Sequence, residues 1–231
     1  MDKLWYETLG VFDLETTGID TDTSRIVSAY VGVVDADGAA KGVSWLADPG
    51  VEIPEQATAV HGISTERART EGRDAAEVVA EIVAVLRSLL AQGVPVVIYN
   101  AAYDLTLLNR ECLRYEIEPL VDPSPIIDPL VIDRAMDRYR KGKRTLEFAA
   151  EFYGVDLTDA HDAEADAVAA GRVAQAISQR YFEQLGHDVV ALHALQVLWA
   201  AESAASFQDY MRRTKDPAFV ADGAWPERLA R

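Results

Sequence analysis

The 231-residue chain has a single cysteine, Cys112, so it can form no internal disulfide and build no cysteine-rich zinc site. Positive charge is scarce: 22 Lys and Arg stand against 38 Asp and Glu, a formal net charge of −16. Such a balance argues against a protein that grips nucleic acid by bulk charge, because that grip rests on neutralising phosphates. No uninterrupted apolar run approaches the roughly 20 residues that span a bilayer, so no membrane partner is expected. The opening residues lack the basic-then-apolar pattern of a secretory signal, and the expected location is a reducing cytoplasm. What is present is ordinary for a globular protein, with 49% hydrophobic and 26% charged residues. The length suits one domain of moderate size with an appendage.

The organisation reads as a sheet followed by helices. Residues 9–15 form a short apolar run ending in carboxylates, and Thr16, Thr17 and Gly18 supply turn chemistry. A Val- and Ile-rich strand is expected over 26–34, a hairpin turn over 35–38, and a third strand over 42–47. The period then changes. Asp74 followed by Glu77 resembles a capping box, and Val78, Val79, Ile82, Leu86 and Leu89 recur at helical spacing up to Gly93. A compact strand over 95–99 leads through Asn100 into a helix around 104–115, which implies strands added in parallel to the meander. Ile126, Ile127 and Asp128 make a short edge strand. Thr145 begins a short helix that Gly154 stops, and Asp162 begins a longer one reaching about residue 180.

A domain over 1–186 and a helical extension over 187–231 are therefore expected. In the extension, Leu192, Leu195, Trp199, Phe207 and Tyr210 fall on one helical stripe. That stripe suits packing on the domain; docking a partner is the alternative.

Three constellations carry chemistry. In FDLETTG, residues two apart on a strand share a face, so Asp13 and Glu15 project side by side. Two such carboxylates repel unless compensated, and oxygen ligands suit Mg²⁺ or Mn²⁺. In NAxxDLxLL, Asn100 and Asp104 sit where a strand meets its helix. In HDAxxDAxAA, Asp162 reads as the helix N-cap and Glu164 as a partner of the helix dipole. Asp166 lies one turn inside, on the face of Ala169, Ala170 and Val173, with His161 just before the helix.

Taken in this order, the three blocks, together with Val60-His61-Gly62-Ile63, resemble the histidine branch of the DEDD-type 3′–5′ exonucleases over about residues 8–184. The resemblance implies a ribonuclease-H-like, mixed five-stranded α/β sheet flanked by helices. It implies two Mg²⁺ or Mn²⁺ ions held by Asp13, Glu15, Asp104 and Asp166, with His161 as general base. It also puts Thr16, Thr17, Gly18, His61 and Asn100 beside the terminal nucleotide, and Gln56 at the position of a sugar-binding glutamate. The implied reaction is hydrolysis at the 3′ end of DNA, with single strands preferred. An exoribonuclease of the same branch, or a proofreading subunit held by a DNA polymerase, is the alternative. The segment 138–144, rich in Arg and Lys, is a candidate for holding the upstream backbone.

Overall fold

The computed structural model describes residues 4–37, 39–158 and 160–228. Gly38 of the expected hairpin turn and the last three residues of the expected extension lie outside the described residues. The first three strands, β1 (Thr8–Thr16), β2 (Ile26–Asp35) and β3 (Ala40–Asp48), form the antiparallel meander. Two short helices follow, α1 (Glu55–His61) and α2 (Thr65–Glu71). Next come β4 (Arg73–Asp74), α3 (Ala75–Ala91), β5 (Val96–Val97), α4 (Ala101–Arg114), β6 (Ile126–Ile127) and α5 (Pro129–Met136). The chain then continues through α6 (Leu146–Tyr153), α7 (Ala163–Arg180), α8 (Phe182–Leu185) and α9 (Val189–Thr214).

Among the described residues the sheet has six strands in the order β4-β3-β2-β1-β5-β6, one more than the sequence predicts. The extra strand is β4, two exposed residues paired in parallel with Ala47 and Asp48. It carries no apolar alternation by which it could be recognised. β5 and β6 add in parallel beside β1, so the sheet is mixed as expected.

Period two in β1 decides what faces what. Phe12 and Leu14 enter a core shared with α3 and α4, including Val79, Ile82, Leu105 and Leu108. Leu9 and Val11 enter the opposite core, under α7, with Ala167, Ala170 and Val173. Asp13 and Glu15 continue this second row toward the strand end, so they share the α7 face. The helix comes close because it is lined with small residues. A Cβ on Gly171 would lie 2.6 Å from Cγ1 of Val11.

The caps at Asp74 and Asp162 form as the sequence predicts: Asp74 accepts from the Glu77 amide, and Asp162 from those of Glu164 and Ala165. Thr145 stands at the head of α6 without capping it.

α9 lies against β6 and α5 with a different face from the one expected. Leu192 is buried, but Leu195, Phe207 and Tyr210 are exposed. The buried polar residue is Gln196, which donates to the Ile126 carbonyl and accepts from the Asp128 amide at 2.7 Å. His193 Nδ1 accepts from the Ile126 amide. Hydrogen bonding to an edge strand thus overrides the apolar stripe. Over its most apolar eighteen residues α9 has a mean hydropathy of 1.2 and by length and composition could cross a membrane, although the sequence has no uninterrupted run of that length. After α9 the chain is irregular and returns over the domain. Trp225 is buried and donates its Nε1 proton to Asp128, and Asn109 donates to Glu227.

Candidate active site

The four candidate carboxylates meet at one end of the sheet, two from a strand and two from the first turns of helices. Strand alternation presents Asp13 and Glu15. A register shift between Glu15 and Thr16 then turns the chain away. Asp104 stands in the first turn of α4, almost fully buried at 4% exposure. Asp166 stands in the first turn of α7.

Burial pushes the carboxyl of Asp13 well above the usual carboxylate range, and the negative charges of Asp104, Asp166, Glu15 and Asp162 push it further. Asp104 is raised in the same way by burial, against hydrogen bonds from its own amide and that of Leu14. Glu15 is pushed up to about 8 by burial, then by Asp166 and Asp162. Asp166 rises to about 6, again through burial, with the His161 amide pulling downward. Among the described residues, the only side-chain charge that pulls one of these values down is that of His161 on Asp166.

Asp166 shows the deficit atom by atom. Its Oδ2 accepts from the His161 amide at 3.2 Å, while its buried Oδ1 has no hydrogen-bond partner among the described residues. Ligand atoms of Glu15, His161 and Asp166 all lie within 4.8 Å of one another, a spacing that could hold a metal ion. The four carboxylates, one with an orphaned buried oxygen, fit hard divalent cations of the Mg²⁺ or Mn²⁺ kind.

His161 has a left-handed backbone (φ 71°) and a half-exposed ring at the rim. Its Nε2 lies 3.6 Å from Oε1 of Glu147, at the head of α6. A hydrogen bond from the Thr145 hydroxyl holds Glu147 below the ordinary glutamate range, and His161 adds to this. Sequence reasoning missed Glu147; only its place two residues after Thr145, at a helix start, was visible.

The neighbouring wall is built on Tyr103, also missed, although it directly precedes Asp104. Its hydroxyl donates to the Gly18 carbonyl and meets Thr16 Oγ1 at 2.6 Å, so α4 fixes the turn after β1. Thr17 is occupied inside that turn, with Oγ1 accepting from the Arg25 amide. His61 is brought to the site from α1. Burial lowers it below the ordinary histidine range, with the Thr16 backbone and His161 beside it. Gln56, at the start of α1, is exposed, and its side chain makes no hydrogen bond among the described residues.

Asn100 takes the left-handed conformation (φ 66°) that turns β5 into α4. Asp128 holds it there. Its carboxylate accepts from the amides of Asn100 and Ala101 at the head of α4 and of Leu130 at the head of α5, and from Trp225.

The basic segment divides into two groups. Arg140 and Arg144 are turned inward, both paired with the fully buried Asp133, and Arg140 also stacks over Phe152. They are structural and cannot hold backbone phosphates as the sequence suggested. Arg138, Lys141 and Lys143 stay exposed. A cleft of about 610 Å³ opens beside the carboxylates, lined by His161, Asp166, Asn100, Arg134, Lys143 and Glu147, among others.

Comparison with known proteins gives the family and the fold. The sequence profile of the RNase T family, described as "Exonuclease", matches residues 11–174. DNA polymerase III subunit epsilon of Treponema pallidum is 26% identical over 182 residues, covering 77% of this chain and 80% of that protein. An epsilon-like protein of Rhodobacter capsulatus is 32% identical over 174 residues, 73% of this chain and 23% of that protein. Escherichia coli Exonuclease I in complex with a dT13 oligonucleotide superposes with a TM-score of 0.65 at 21% identity. That match covers 78% of this chain and 43% of the other. Exonuclease I of Methylocaldum szegediense gives a TM-score of 0.63 at 21% identity, covering 83% and 45%. This chain thus spans less than half of the Exonuclease I chains and about a quarter of the Rhodobacter protein.

Proposed function

The chain belongs to the RNase T exonuclease family of hydrolases, and from that premise we propose that it removes nucleotides one at a time from the 3′ end of DNA, single strands first. One observation carries the reading: four carboxylates, raised together by burial and mutual repulsion, converge beside a histidine at the rim of an open cleft. Asp13, Glu15, Asp104 and Asp166 would hold two Mg²⁺ or Mn²⁺ ions. Such a pair stabilises charge on the attacking and leaving oxygens of an in-line phosphoryl displacement.

The rest is work for side chains. His161 takes a proton from the attacking water as its oxygen bonds to phosphorus, and Glu147 holds the ring in place. The bond from phosphorus to the 3′ oxygen breaks, that oxygen gains a proton, and a nucleoside 5′-monophosphate leaves. The Tyr103–Thr16–Gly18 wall and His61 bound the space for the terminal sugar and base, and Asn100 lines the adjoining cleft. Catalysis is assigned to residues 1–186, and the protein to a reducing cytoplasm, in keeping with its one buried cysteine. Association with a polymerase is a separate proposition, supported by the names of relatives such as the Treponema protein, and co-purification tests it.

The experiment is digestion of 5′-labelled single- and double-stranded DNA and RNA with Mg²⁺ or Mn²⁺. A ladder shortening from the 3′ end, fastest on single-stranded DNA, is the expected result. Faster loss of RNA would make the enzyme an exoribonuclease. No cleavage of any substrate would end the reading.

A further inference from the structure

We propose that the strand leading away from the cut end runs over Arg134 onto α9, so that the C-terminal helix is a track for single-stranded nucleic acid. This rests on the exonuclease reading and adds a binding surface to it. Three clefts meet at one residue. The cleft beside His161 and Asp166 includes Arg134. So does a second, of about 460 Å³, between α5 and α9, where Arg138, Trp199, Phe207 and Tyr210 stand. A third, of about 690 Å³, lies between α9 and the returning chain, again with Arg134, Trp199 and Phe207, joined by Phe219. A strand can therefore pass from the carboxylates to the aromatic face of α9 without leaving a groove.

The chemistry of the groove suits this occupant. Phe207 and Tyr210 are each 50% exposed, an uncommon state for rings on a helix that also has a buried face. Arg134 and Arg138 are exposed, and their side chains form no hydrogen bond or ion pair among the described residues, unlike those of Arg140 and Arg144 close by. Only Glu202 opposes them in the second cleft. Unpaired cations interleaved with stacking surfaces, in a chain of net charge −16, match a phosphodiester backbone with its bases turned inward. From Trp199 to Tyr210 the rings span about 16 Å of helix at roughly 1.5 Å per residue. At about 3.4 Å per stacked base that accommodates several nucleotides. A protein partner is less favoured, because continuity with the site and free positive charge both belong to this face. The outer side of α9, with Val190, Val197 and Leu198, has neither.

The test uses the full chain, with Phe207→Ser/Tyr210→Ser, Arg134→Ser/Arg138→Ser, and Phe207→Tyr/Tyr210→Phe as the conservative control. Binding of a fluorescent 16-nucleotide oligothymidylate is measured in chelator, where no cleavage occurs. Turnover of the p-nitrophenyl ester of thymidine monophosphate is measured with Mn²⁺. The serine pair on α9 should lose about 10-fold or more in oligonucleotide affinity, the scale of lost base stacking. Its turnover of the ester should stay unchanged, and the conservative pair should retain affinity. The arginine pair should flatten the salt dependence by about 1.4 log units per log unit of salt, as expected for two phosphates on a single strand. Oligonucleotide affinity within twofold of wild type in both serine pairs would overturn the track. Equal loss on ester and oligonucleotide in the α9 pair would overturn it as well. A wild type that binds the oligonucleotide with this sensitivity yet cleaves nothing would sink the exonuclease reading and leave the track standing.

Discussion

Asp133 and Asp13 are both acids drawn in from bulk water, and the chain treats them in opposite ways. Asp133 has no exposure and is surrounded by partners: Arg140, Arg144 and the hydroxyl of Tyr153, which donates at 2.7 Å. Glu111, equally buried, has Arg25 at 2.8 Å and Arg114. Asp13 and Asp104 have mainly other carboxylates around them. A buried charge left without a partner costs several kcal/mol, so a fold does not keep four together unless something else completes them. The difference teaches how to tell a strut from a site. Where the chain supplies a counter-charge, or N–H donors as it does for Asp128, the acid is architecture; where it withholds both, the acid awaits a ligand.

The largest effect expected from that contrast is loss of all activity in chelator, restored by Mg²⁺ or Mn²⁺. The metal should also raise the melting temperature, by about 2.7 kcal/mol of stability at a hundredfold excess over Kd. Activity that survives exhaustive chelation would place the withheld charge somewhere other than a cation.

Next comes the separation of base from ligands. His161→Ala should cut turnover by about 10²–10⁴-fold while metal binding stays nearly intact. Asp13→Asn and Asp166→Asn should lose metal affinity and turnover together. If His161→Ala loses metal as badly as Asp13→Asn, the histidine is a ligand and the base lies elsewhere.

The strut should fail in a different way. Asp133→Asn leaves two largely buried guanidinium groups poorly compensated and should cost about 3–5 kcal/mol of stability by denaturant titration. Asp13→Asn, measured without metal, should stabilise the fold, because it removes repulsion. A shift of the same sign in both variants would erase the distinction.

The smallest effect is on the pH dependence of the metal-free protein. The clustered acids have folded values above their unfolded ones, so the unfolded chain releases these protons first as pH rises. Their contribution to stability should therefore decline from about pH 4, where both states are protonated, until Glu15 has ionised near 8. Over that window Glu15→Gln should melt with a shallower slope than wild type. Parallel slopes would show that Glu15 does not feel its neighbours.

The sequence revealed half of this contrast. Local rules of strand alternation, a strand-to-helix turn and a helix start gave the places of Asp13, Glu15, Asp104 and Asp166, but only the family resemblance joined them into one set of ligands. The three long strands and the caps at Asp74 and Asp162 were legible by local rules too. What stayed hidden depends on pairs formed in space. Arg140 and Arg144 look like their exposed neighbours until Asp133 is found beneath them. Tyr103 and Glu147 carry no period that marks them as supports. α9 turned to satisfy the backbone of an edge strand through Gln196, a demand that no apolar pattern records.

Gly171 leaves α7 resting almost directly on Val11, where the helix that carries Asp166 meets the strand that carries Asp13 and Glu15. A methyl group there would stand 2.6 Å from Cγ1 of Val11, about 1 Å inside ordinary carbon–carbon contact. Helix and strand would have to part, and Gly171→Ala should weaken both ions, read as a higher concentration of Mg²⁺ and of Mn²⁺ for half-maximal turnover. The hydrogen side chain of Gly171 would then act as a shim, holding a grip on metal from a position that touches neither metal nor substrate.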